Sequence, residues 1–127
     1  MSRISTEALG IRVLVGASRW SGMGLFWRVW LLRTTVATEA DADRLARIAV
    51  DEAYASCAYI QRVRSLYWWQ GVRHDEEEFV VEARVRQQRV RNLERRWRAN
   101  HPYELPLFER VPAFVNGDYA RWMRRGE

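Results

Sequence analysis

The sequence predicts an α+β fold in which two amphipathic helices cover an antiparallel sheet, the elements running β-α-β-β-α-β with a short helix at the end. Three observations point to it. Two segments repeat apolar residues at spacings of three and four, as one face of a helix requires: Leu45, Ile48, Ala49 and Ala53 in the first, Val90, Leu93 and Trp97 in the second. The segments around them are rich in aromatic and β-branched residues or alternate apolar with polar, which is the pattern of strands. Breakers fall where these patterns change, at Gly71, Pro102 and Gly117.

Residues 1–24 show no sustained period and hold a Ser/Gly-rich run from Ser18 to Gly24, so they read as an N-terminal extension, poorly ordered or loosely packed. The folded domain is expected over 25–127. Leu25 to Thr34 is dense in aromatic and branched residues and suits a largely buried strand. Thr38, with Asp41 three residues on, opens a helix over 41–55 by supplying a side-chain acceptor for free backbone N–H groups. Cys57 to Arg73 reads as a long strand, with Gly71 marking its end or a bend, and His74 to Glu78 as a solvated acidic turn.

From Phe79 to Arg86, apolar Phe79, Val81, Ala83 and Val85 alternate with a mostly polar set, giving a strand with one buried face. Gln87 to Asn100 forms the second helix, which stops before Pro102. Leu105 to Val115 contains Pro106 and Pro112 and suits a broken edge strand. Asn116-Gly117-Asp118 starts a terminal helix whose Tyr119, Trp122 and Met123 share a face. Two β-α-β halves with helices on one side of the sheet make a ferredoxin-like β-α-β-β-α-β sandwich.

At 127 residues the chain fits one domain, and 48% hydrophobic residues with seven tryptophans exclude a disordered protein. Its single cysteine, Cys57, permits no intrachain disulfide and suits a reducing cytoplasm. Cys57 reads as a small apolar strand residue, with no histidine near it in sequence to make it a nucleophile. No stretch approaches the roughly 18 apolar residues of a membrane span, and neither export nor membrane insertion is indicated.

The net charge of +5 rests on 21 arginines and no lysine. Arg84, Arg86, Arg89, Arg91, Arg95, Arg96 and Arg98 raise a nucleic-acid reading. On the helix, however, they spread around the whole polar side, as arginine does when it is the general surface cation, and nucleic acid is not the expected partner. His101-Pro102-Tyr103-Glu104 puts an imidazole and a carboxylate three apart beside a forced turn, so His101 and Glu104 are candidate ligands for a divalent cation. No phosphate-cradling glycine loop or Ser-His-Asp set is present, and no enzyme is expected. Ser65-Leu66-Tyr67-Trp68-Trp69-Gln70 aligns four large apolar side chains whose alternation demands cover on both faces. A chain this small is expected to hide them in a partner.

In order, Cys57 to Ile60, Ser65-Leu66-Tyr67-Trp68-Trp69-Gln70-Gly71, His101-Pro102-Tyr103-Glu104 and then Tyr119 and Trp122 resemble the CutA divalent-cation tolerance family, over about Leu25 to Arg125. The resemblance implies a homotrimer in which long hairpins of neighbouring subunits pair edge to edge, burying Leu66, Tyr67, Trp68 and Trp69. It implies a cleft between subunits lined by His101, Glu104 and Tyr103, with Arg84 facing it, and a role in tolerance to copper or another divalent cation by binding or sensing rather than catalysis. Asn100 and Thr34 stand where some copper-binding members carry a histidine and a cysteine. Arg84 stands for a usual lysine, and Arg62 and Ala37 for prolines. A second reading is a PII-like signalling trimer holding a small anion or nucleotide between subunits, and a third is nucleic-acid binding through the arginine helix.

Overall fold

The computed structural model describes residues 27–124, and the N-terminal extension read from the sequence lies outside them. The elements are β1 (Arg28–Val36), α1 (Glu39–Asp51), β2 (Ala55–Trp69), β3 (Val72–Val85), α2 (Gln87–Ala99), β4 (Glu109–Phe114) and α3 (Gly117–Arg124). The four strands form one antiparallel sheet in the order β2-β3-β1-β4. This is the α+β fold expected from the sequence.

Each helix begins and packs for a local reason. The Thr38 hydroxyl accepts the Asp41 N–H at 3.1 Å, and Glu39 and Asp41 place negative charge where the helix dipole favours it. α1 buries Ala42, Leu45, Ile48 and Ala49, and α2 buries Val90, Leu93 and Trp97, all against Leu32, Val36, Val81, Ala83 and Val85 of the sheet. The fully buried Trp97 satisfies its indole N–H by donating to the Leu45 carbonyl at 2.9 Å, which ties the two helices together.

Helices do not lie on one side alone. Val29 points to the opposite face from Leu32 and Val36, and α3 sets Tyr119 and Met123 against it. Gly117 allows this approach, because a Cβ there would lie 2.5 Å from the Trp27 ring.

The hairpin departs further from expectation. Its turn is Gln70-Gly71, both with positive φ (50° and 78°), the two-residue geometry that matches strand twist. His74 to Glu78 therefore belong to β3 and are not a turn. Their charge is accommodated in extended backbone by cross-strand pairs such as Arg64–Asp75 at 2.7 Å and Arg62–Glu77 at 3.5 Å. β1 stops pairing at Val36↔Phe79, while β2 and β3 continue to Trp69↔Val72. Beyond Phe79 the hairpin is thus a projecting two-stranded ribbon, a form with little stability of its own. It leaves Leu66 (53%), Trp68 (71%), Trp69 (40%) and Val72 (56%) exposed. At the other edge, β4 begins at Glu109 rather than Leu105, since Pro102 and Pro106 keep the preceding segment irregular.

Candidate functional site

α2 ends at Ala99, and Pro102 forces the residue before it out of helical conformation, so His101 turns back onto the end of β1. Its Nδ1 accepts the Tyr103 backbone N–H at 3.1 Å. A backbone amide can only donate, which leaves the ring proton on Nε2, and Nε2–H donates to the buried Thr34 hydroxyl at 2.8 Å. Burial pushes the imidazole below its ordinary pKa, against a smaller opposing pull from the Thr35 backbone. The ring is neutral, fixed in one tautomer, and packed near Tyr103 and Phe108 with centroids 5.2 and 5.7 Å away.

Tyr103 extends this cluster to the root of the ribbon. Its phenol donates to Glu78 Oε2 at 2.6 Å, and Glu78 is only 6% exposed. Burial and this hydrogen bond to Glu78 push the phenol well above its usual range. Glu78 is the first β3 residue past the last β1 pair, so Tyr103 fills ground that β1 does not reach. A second set lies further out: the Tyr67 hydroxyl donates to Glu76 at 3.0 Å, Tyr67 stacks on His74 at 4.9 Å, and His74 Nδ1 lies 3.1 Å from Glu76. His74 and then Tyr67 hold the Glu76 carboxyl below the usual carboxylate range.

Of the residues singled out from the sequence, His101, Tyr103 and Thr34 come together. Glu104 does not join them; it is exposed and makes no hydrogen bond or ion pair among the described residues. Asn100 turns its amide to the Arg96 carbonyl at 3.0 Å. Arg84 is ion-paired with Glu82 at 3.3 Å and lies 4.5 Å over the Tyr59 ring, its charge already answered. Six residues separate it from Glu78, roughly 20 Å along the strand, so one chain does not bring it to Tyr103. Glu78 was missed by sequence reasoning because its acidic neighbours suggested solvent. The only available signal was its position, immediately before the alternating apolar run.

The described residues contain no group of three or more His, Cys, Asp or Glu side chains that could hold a metal ion. For His101 to ligate through Nε2 it must lose both the Thr34 contact and the Tyr103 amide, because moving the proton to Nδ1 sets two donors face to face. Cys57 sits half-buried in β2 with Sγ 3.4 Å from the Tyr119 hydroxyl.

Fold and site define a class: a ferredoxin-like sandwich with an overlong β2–β3 hairpin and a histidine–tyrosine–glutamate cluster at the hairpin's root. A family model described as "CutA1 divalent ion tolerance protein" matches residues 30–126. The chain belongs to this CutA1 family. It is 27% identical over 94 residues to the divalent-cation tolerance protein CutA of Pyrococcus horikoshii, covering 73% of this chain and 92% of that one. With the CutA of Thermus thermophilus it shares 32% over 92 residues, 71% of this chain and 89% of the relative. The solved structure of CutA from Synechococcus elongatus superposes with a TM-score of 0.74 at 31% identity, covering 79% of this chain and 90% of that chain.

Proposed function

We propose that the chain acts in the cytoplasm as a homotrimer in divalent-cation tolerance, binding or sensing an ion such as copper without turnover chemistry. The observation that carries this reading is the projecting ribbon, whose exposed Leu66, Trp68, Trp69 and Val72 need a partner surface. Both outer strands, β2 and β4, also present unpaired edges that a neighbouring copy can complete. The relatives' names supply the divalent cation.

In this reading His101 and Glu104 are the ligands. Glu104 has no competing partner among the described residues, and His101 binds through Nε2 only after giving up both the Thr34 hydroxyl and the Tyr103 amide. Because the described residues of one chain offer too few donors, the ion is shared between protomers, and Tyr103 lines the same cleft. Isothermal titration of copper(II) and zinc into the assembled protein tests this. The expected result is binding weakened at least tenfold in His101→Ala. Equal affinity in the variant, or no binding of either ion by the parent, removes the metal role.

A further inference from the structure

We propose that the groove between α2, β1 and β4 binds a small phosphate-bearing anion, at a site separate from the His101 cluster. The groove is open to solvent, has a volume of about 640 Å³, and is lined by Val90 together with Trp30, Gln87, Gln88, Arg91, Asn92 and Arg110. That volume suits a small organic ligand. Among the described residues no carboxylate lines it; the polar groups there are amides, guanidiniums and one indole. Arg28 borders it, with Nη2 donating to Gln87 Oε1 at 3.4 Å and its guanidinium carbon 5.6 Å from the Trp30 ring centre.

Toward the end of α2 most arginines are ion-paired, Arg95 alone there finding only the Asn92 amide among the described residues, and toward its start they are not. Toward the C-terminal end, Arg96 pairs with Glu52 at 2.9 Å, while Arg98 and Arg110 share Glu94 at 3.6 and 2.9 Å. Toward the start of the helix, Arg86, Arg89 and Arg91 make no ion pair among the described residues, and Arg28 finds an amide and the Trp30 ring but no acid. α2 also opens unfavourably: Arg86 occupies the cap position without a side-chain hydrogen bond, and no acid lies in the first turn, the reverse of α1. Cations at that end oppose the helix dipole.

Trp30 adds an independent sign. Its Nε1 is the one buried side-chain polar atom among the described residues that has no hydrogen-bond partner. Buried donors are ordinarily satisfied, and departures from that rule collect at functional positions. Arg28 and Arg91, which have no acid partner among the described residues, and the groove's side-chain amides form a surface suited to an anion, beside a Trp30 ring whose indole N–H is itself buried. A phosphate ester fits best, its oxygens taking Arg28 and Arg91 and its organic part lying on the Trp30 ring. With only these two free arginines at the groove, a polynucleotide, which engages many more phosphates, is the poorer match.

Titration calorimetry of the intact chain at low salt, with pyrophosphate as probe, tests the assignment. One site per chain is expected. Arg28→Ala and Arg91→Ala should each weaken binding about tenfold or more, as loss of a charged hydrogen bond does. Arg84→Ala and the distant Arg121→Ala should leave it unchanged. Absence of binding at millimolar probe overturns the proposal. So does equal weakening by Arg121→Ala, which marks diffuse attraction, or loss through Arg84→Ala instead, which moves the anion to the opposite sheet face. Tighter, steeply salt-dependent binding of a single-stranded oligonucleotide would also overturn it in favour of a nucleic-acid surface.

Discussion

The β2–β3 hairpin joins two regions that share their strands and differ in almost everything else. From Phe79 to Val85, β3 lies between β1 and β2 under both large helices, and Val81, Ala83 and Val85 are wholly buried. From Val72 to Glu78 the same strand pairs with β2 alone. The densest aromatic run, Tyr67-Trp68-Trp69, sits opposite this second half. Composition and cover are therefore out of step within one chain: the largest side chains appear where the chain's own core has ended. The inner half is a folding unit, and the outer half leaves its large apolar side chains without cover from the described residues of its own chain.

Substitutions that strike one half and spare the other will sharpen this contrast. Trp97→Ala, in the inner unit, removes a fully buried ring and the donor to Leu45. It should cost about 4 kcal/mol in urea denaturation, whatever the oligomeric state. Leu66→Ser with Trp68→Ser should instead leave the far-UV spectrum intact while, for the proposed trimer, light scattering falls from about three times the 15.1 kDa chain toward a single copy. Covering roughly 500 Å² of the ribbon is worth up to about 12 kcal/mol per protomer, an upper bound. Unchanged mass in that double variant would break the comparison. Tyr103→Phe acts at the junction, depriving buried Glu78 of its phenol. It should destabilise by about 1–3 kcal/mol, the smallest effect of the three.

The inner unit was largely legible, because helical spacing at Leu45, Ile48 and Ala49 and alternation from Phe79 to Val85 report local burial directly. The turn was half-legible: Gly71 marked it, but Gln70 is an unusual partner in a positive-φ pair, and the acids that follow imitate a loop. Glu78 was not legible, since its burial depends on Tyr103, 25 residues away, wrapping past the end of β1. For the cation motif, sequence identified His101 but not its state. Only the Tyr103 amide and the Thr34 hydroxyl together show that both ring nitrogens are already engaged.

The sheet order β2-β3-β1-β4 leaves a different strand bare at each margin, so the molecule has two unlike ends. Head-to-tail joining of unlike ends either closes into a ring or runs on as a fibre, and the rotation between successive copies alone decides which. On the ribbon, the cross-strand ion pairs Arg64–Asp75 and Arg62–Glu77 tie β2 to β3 at the β2 margin.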